Sequence, residues 1–348
     1  MNNSQPTANN LLAVADNGKN PAIFPWQQAV WRHLSDYIAQ QRIPQALLLS
    51  GNPGFGKRHL ADIYAGALLC VTPPAVGVAC GVCAACKLFQ AQTHADYMVI
   101  APDEPGKAIG IDKIRQLTGK LALKPQYAAY RLVIIQPADS LNTASANAFL
   151  KCLEEPTERT CFILISDQAA KLPATIRSRC QIINVAADKQ LAAHWMAAQG
   201  LAEHGEQLLK MAQGAPLLAK FYAEHKFMQQ RQDFFQDCLQ IAAGKSNLLL
   251  IAEKWQKQEI VELKILINWL SSWIVDIVKL KFQIDAAEIE NSDFKNPLQE
   301  LAERLELTRL YQYYDQLLRS RSQLATQANK LLLIESLFID WSQLNTQN

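Results

Sequence analysis

The chain has 348 residues, enough for about two to three domains. It is 49% hydrophobic and 19% charged, a globular composition able to build sizeable cores. Its net charge of +2 excludes a global field that would draw the whole molecule onto nucleic acid or an anionic membrane.

Residues 1–20 are polar and Asn-rich, with no basic region leading into an apolar stretch. They are expected to form a flexible tail, not a secretory leader, and a cytoplasmic location follows as an expectation. Phe24-Pro25-Trp26-Gln27 opens a helix running to about Gln41, with Pro25 near the start where its missing N–H costs nothing. Ala46–Ser50 is too short an apolar run for a helix and predicts a buried strand. A glycine-rich loop follows, then a helix from about Lys57 to Leu69, which is the strand–loop–helix context of a phosphate-binding loop.

Further on, Tyr97–Ile100, Arg131–Ile135, Cys161–Ile165 and Cys180–Asn184 predict four more strands. Helices are expected over 111–123 and 145–153, the second ended by Glu154-Glu155-Pro156, with a turn or short helix over 176–179. This alternation predicts an α/β domain over 21–186, a parallel sheet with helices on both faces. Strand signals then stop. Residues 187–222 predict a small helical domain, and 223–348 an all-helical C-terminal domain with apolar residues every three or four positions. The most apolar helical stretch, 261–280, carries Glu262, Lys264, Asp276 and Lys279, so it reads as a buried or partner-facing helix and no membrane span. Its Trp269 and Trp273 suit an interface or the domain's own core. Lys113, Arg115 and Lys120 suit either a DNA backbone or a solvated helix face.

Cys70, Cys80, Cys83 and Cys86 follow the spacing C-x9-C-x2-C-x2-C. Short C-x2-C steps let a loop fold its thiolates round one tetrahedral ion, and Gly81 permits the turn. Structural Zn2+ is the reading preferred over free surface thiols, and over an iron–sulfur cluster, whose following Cys-Pro is missing. Four thiolates leave no position open for catalysis. Cys152, Cys161, Cys180 and Cys238 sit in apolar contexts and read as core residues.

Gly51-Asn52-Pro53-Gly54-Phe55-Gly56-Lys57 matches the phosphate-loop pattern G-x-x-x-x-G-K. The next residue should be a Ser or Thr that ligates magnesium, and it is Arg58. The third strand should end in an acidic pair and ends in Gln136-Pro137, with Asp139 the nearest acid. Two separate parts of a magnesium site are therefore missing. The loop stays open to three readings: a turn without ligand, nucleotide binding without turnover, or hydrolysis. Arg179, in Ser178-Arg179-Cys180, reads as a surface arginine or as one supplied to a neighbour's phosphoryl-transfer site.

Several stretches together resemble one family. They are Phe24-Pro25-Trp26, the loop from Gly51, the four clustered cysteines, His94–Tyr97, Ser145–Lys151 with Leu153–Pro156, Leu172–Cys180 and Asn329–Glu335. The chain resembles the delta-prime subunits of the bacterial DNA polymerase III clamp loader, within the AAA+ superfamily. The likeness spans roughly residues 22–343 and is most specific across 46–182.

The resemblance implies a place in DNA replication, beside tau/gamma subunits that hydrolyse ATP and a delta subunit that opens the sliding clamp for primer–template DNA. It implies a non-motor subunit without intrinsic activity that gives Arg179 to the ATP site of a neighbouring tau/gamma subunit. It makes Gly51, Gly54, Gly56 and Lys57 a vestigial nucleotide loop, so ATP binding is doubtful. It makes 70–86 a zinc-binding insertion, 187–222 a lid and 223–348 a collar for oligomerisation. Ser166 falls where motor subunits carry the polar residue of the fourth strand. Gly214-Ala215-Pro216 lacks their small-domain arginine, a third lost nucleotide contact. The alternatives are an active AAA+ motor of the tau/gamma type and a zinc-containing DNA-binding protein.

Overall fold

Five short strands make one parallel sheet: β1 (Ala46–Ser50), β2 (Tyr97–Ile100), β3 (Arg131–Ile135), β4 (Thr160–Ser166) and β5 (Gln181–Asn184), in the order β2-β3-β4-β1-β5. The computed structural model describes residues 22–345 apart from 105, 123–124, 127–129, 156, 259–260, 285–287 and 325–328. The expected tail 1–20 and Pro156 lie outside the described residues. Register is continuous across the centre, with Leu48 opposite Leu164 on β4 and opposite Ile182 on β5.

Successive side chains of a strand point to opposite faces, so both faces of an apolar run are buried only when both are covered. On one face Leu48, Val133, Ile135, Phe162 and Leu164 pack with Ile114, Leu117, Phe149, Leu153 and Ile176. The last five come from α4 (Ile111–Leu121), α5 (Thr143–Glu154) and α6 (Ala174–Arg177). Leu47, Leu49, Leu132, Ile134 and Ile163 alternate to the other face and are also buried. There α2 (Lys57–Leu69), with Leu60, Ala61 and Tyr64 buried, lies against β3 and β4. Two further helices precede β2: α1 (Gln28–Ala39) before β1, and α3 (Ala84–Gln90) after the cysteine loop. All five strands fall within a residue of their expected limits, and a doubly covered parallel sheet is what the sequence predicts.

After β5 come α7 (Lys189–Ala198), α8 (Gly205–Met211) and α9 (Pro216–Glu224). The chain forms two compact units that divide after Tyr222. The second holds α10 (Phe227–Ala242), α11 (Leu248–Gln256), α12 (Leu263–Lys281), α13 (Lys295–Arg304), α14 (Leu307–Gln323) and α15 (Lys330–Asn345). Its core is aromatic. Phe234 stacks near Trp255, Trp269, Trp273 and Phe338, and Phe235 lies flat on Phe294 with centroids 4.1 Å apart. Trp269 and Trp273 are only 6% and 0% exposed. They belong to the unit's own core, the second of the two readings left open for 261–280.

One cation is buried in this core. Arg231 donates to Asp293 at 2.5 Å and to Asn291, and its guanidinium lies 4.3 Å from the Phe294 ring centroid. Asp276 accepts from the Asn291 backbone and side chain, each at 2.7 Å. No described helix is long and apolar enough to cross a membrane.

Candidate functional site

The glycine-rich loop leaves β1 at Ser50 and enters α2 at Lys57, with Gly51, Gly54 and Gly56 at φ 146°, 88° and 75°. Glycines in a working phosphate loop keep the space beside the backbone clear for the ligand. Here packing within the chain already requires the glycines. A Cβ on Gly51 would stand 2.2 Å from the Val185 carbonyl oxygen. One on Gly54 would stand 2.5 Å from Leu218 Cβ and 2.9 Å from its backbone nitrogen, and one on Gly56 would stand 2.7 Å from Gln27 Nε2. The first turn of α9 also ties to the loop, with Leu217 N–H donating to the Gly54 carbonyl at 3.2 Å.

Lys57 is equally committed. Its ammonium donates to the carbonyls of Gly51 at 2.6 Å and Asn52 at 2.8 Å, and meets Asp167 at 2.7 Å. The side chain is 4% exposed. Trp26 and Gln27 donate to the Phe55 carbonyl at 3.0 and 2.8 Å, and Gln27 also reaches Gly56. The lysine that would hold outer phosphates is neutralised by a carboxylate of its own chain. The loop's carbonyls accept from Lys57, Trp26, Gln27 and Leu217, and its lysine is held by Asp167 in the place of an outer phosphate.

The two departures from the magnesium motif meet each other. Arg58 donates to Gln136 Oε1 at 3.1 Å, to the Tyr97 hydroxyl at 3.0 Å and to Asp62 at 2.9 Å. Burial opposes the Arg58 charge, but Asp62 and Tyr97 beside it hold its pKa above the ordinary value. The arginine thus spans the place between loop and third strand where a cation would sit. Asp139 turns instead to Ser166 Oγ at 2.7 Å and the Asp167 N–H at 3.2 Å. Pro216, in the position read as a lost arginine, is buried at the start of α9.

Arg179 lies between α6 and β5, at the end of the strands opposite the loop. Gln181 is in register with Leu47, and Gly51 follows β1 four residues later. At roughly 3.3 Å per residue, Gln181 and Gly51 are about 13 Å apart along the strand direction, and Arg179 sits in the turn before Gln181. Its side chain is 38% exposed, donating to the Thr175 carbonyl at 2.9 Å and to Glu154 at 2.7 Å. Cys180 beside it packs partly buried against the sheet core, and burial pushes its thiol up to about 11. Cys152, Cys161 and Cys238 are buried as expected. Lys113 and Arg115 are locally paired, with Asp103 at 2.7 Å and Asp112 at 3.1 Å.

The sulfurs of Cys70, Cys80, Cys83 and Cys86 all lie within 4.8 Å of one another. A zinc ion with bonds of about 2.3 Å would space tetrahedral sulfurs about 3.8 Å apart. Cys70 ends α2 and Cys83 begins α3. Backbone N–H groups of Cys80, Cys83 and Cys86 donate to the sulfurs of Cys70, Cys80 and Cys83 at 3.3, 3.3 and 3.4 Å. The Thr72 hydroxyl, with the N–H groups of Val82 and Cys83, pulls the Cys80 thiol down to about 5. Burial pushes Cys70 and Cys86 up. The cluster is compatible with a metal site.

Two family models match, described as "DNA polymerase III, delta subunit" over residues 26–189 and "DNA polymerase III, delta subunit, C terminal" over 225–343. DNA polymerase III subunit delta' of Pseudomonas aeruginosa is 33% identical over 329 residues, 92% of this chain and 98% of that one. The chain belongs to the DNA polymerase III delta-prime family. The Escherichia coli member is 30% identical over 91% of this chain and 94% of its own. DNA polymerase III subunit tau of Bacillus subtilis is 36% identical over 155 residues, 44% of this chain and 27% of that one. With its loop and five-stranded sheet, this delta-prime chain has an AAA+ core followed by an all-helical region.

Sequence reasoning missed what closes the loop. Asp167, Gln27 and Leu218 are remote in sequence from Lys57, and nothing in their local pattern marks them. Only Asp167, the polar residue just past a buried strand, carried a weak signal.

Proposed function

We propose that this delta-prime chain is a non-motor subunit of the DNA polymerase III clamp loader, and that Arg179 acts on ATP bound by a neighbouring tau/gamma-type subunit. The observation that carries the reading is the separation of the two sites. The chain's own loop lysine is held by Asp167, while an exposed arginine stands on a turn at the other end of the strands. About 13 Å of sheet from Gln181 to Gly51 keeps that arginine away from its own loop.

In a neighbour's site the planar guanidinium would meet the charge that develops on the transferred phosphoryl group. A zinc ion held by Cys70, Cys80, Cys83 and Cys86 would supply a crosslink between the end of α2 and the start of α3, and no chemistry. The delta subunit, the sliding clamp and primer–template DNA are then partners through the assembled complex.

The test is clamp-dependent ATPase of the complex reassembled with Arg179→Ala. Its turnover is expected to fall by tenfold or more per affected site, by analogy with roughly 10³–10⁵ for arginine fingers. Arg179→Lys is expected to recover little, because a point charge does not copy a planar fork. Wild-type turnover in both would sink the reading.

A further inference from the structure

Arg179 is not a loose surface side chain. Its Nη1 donates to the Thr175 carbonyl at 2.9 Å, within its own turn, and its Nη2 donates to Glu154 at 2.7 Å, across from the last turn of α5. The two partners come from different elements, and both elements are anchored in one core. Leu153, next to Glu154, is buried in the same cluster as Ile176, against which Cys180 also packs. Groups held on rigid elements by packing are placed more closely than groups on loops. With both partners in place the arginine keeps 38% exposure and the glutamate 49%, so the clamp does not cover the guanidinium. A guanidinium has five N–H donors, and these two bonds leave others for a phosphate.

From this geometry we propose that Glu154 is a positioning residue for Arg179. This rests on the reading of Arg179 as an arginine acting in trans, and adds a residue that touches neither nucleotide nor reacting atoms. A long side chain with many rotamers reaches its target productively in only a few of them. A fixed carboxylate and a carbonyl restrict it before the neighbour arrives. The exposed pair adds little to stability, because solvent screens it. Its effect should therefore be seen in turnover and not in folding.

The experiment reassembles the complete clamp-loader complex with Arg179→Ala, Glu154→Ala, Glu154→Gln or the double alanine variant, and measures kcat and KM for ATP. If Glu154 positions the arginine, Glu154→Ala lowers kcat about tenfold with KM nearly unchanged. Glu154→Gln, which keeps an acceptor but loses the charge, falls between it and wild type. Adding Glu154→Ala to Arg179→Ala then changes nothing further. An unchanged or raised kcat in Glu154→Ala, with Arg179→Ala impaired, overturns the proposal, and a rise would mean that Glu154 withholds the arginine. A Glu154 effect that persists in the Arg179→Ala background also overturns it. An unimpaired Arg179→Ala complex fails the trans reading itself, a result distinguishable from the other two. Thermal melting of each isolated variant close to wild type excludes a folding defect.

Discussion

Lys57→Met should destabilise the chain without depriving it of a nucleotide. The ammonium is buried and has three partners, the Gly51 and Asn52 carbonyls and Asp167. Removing one member of a buried pair costs about 3–5 kcal/mol, because the other is left charged and unpaired. Asp167 is 29% exposed, so water recovers part of that cost. Methionine also keeps the apolar stem. An expected loss of about 2–3 kcal/mol remains. For a unit of this size each kcal/mol moves Tm by about 2–4 °C, so the midpoint should drop by about 4–12 °C. Differential scanning calorimetry and urea unfolding measure it. In parallel, Mg-ATP should leave the wild-type midpoint unmoved, whereas a ligand at 100 times its Kd would add about 2.7 kcal/mol. A variant as stable as wild type, or a wild-type chain stabilised by Mg-ATP, would refute the account of the loop as a closed structural element.

Gly54→Ala should be destabilising by about 1–3 kcal/mol even with no ligand present, because the new methyl meets the Leu218 backbone at a positive φ. Chemical unfolding checks it, and neutrality would mean that α9 yields freely. Metal analysis of the purified chain should return one zinc per chain. Cys86→Ser or a strong chelator should remove it and speed hydrogen exchange across 70–90, with the sheet remaining folded. Restoring the motif on paper with Arg58→Thr and Gln136→Asp together should not create ATPase activity, because Lys57 remains bound to Asp167 and Gly54 remains covered. Turnover by that isolated double variant would show that the missing magnesium ligands were the sole obstacle.

The central strands β1, β3 and β4 were legible because each is a short apolar run between glycine, proline or polar turns, and burial on both faces leaves no polar alternation to confuse it. The cluster of Cys70, Cys80, Cys83 and Cys86 was legible because three of its sulfurs lie at C-x2-C spacing, which already places them near one another. The loop was legible as a motif and illegible as a state. Whether Lys57 faces a phosphate or Asp167 depends on the tertiary position of β4, and whether Gly54 is open depends on where α9 begins. Trp269 and Trp273 were likewise left open between two readings. An apolar tryptophan stripe suits a core and an interface equally, and only the packing of Phe227, Phe234, Phe235 and Phe294 around them decides.

Arg58 and Gln136 look in the sequence like two separate losses, 78 residues apart. In the fold they are one substitution of function. An arginine in place of the magnesium-binding hydroxyl would be a buried charge without partners, unless the facing residues changed too. Gln136, Tyr97 and Asp62 supply those partners. The same holds at Lys57, where Asp167 stands in for phosphate charge. On the proposed reading, a site stitched with its own ions has no empty and filled states to alternate between. Arg179, carried by the same sheet, is then offered in one geometry throughout a neighbour's cycle. A motor's arginine rides on a body that itself binds and releases nucleotide. On the proposed reading the lost chemistry and the exported arginine are therefore linked, because closing the first site fixes the platform for the second.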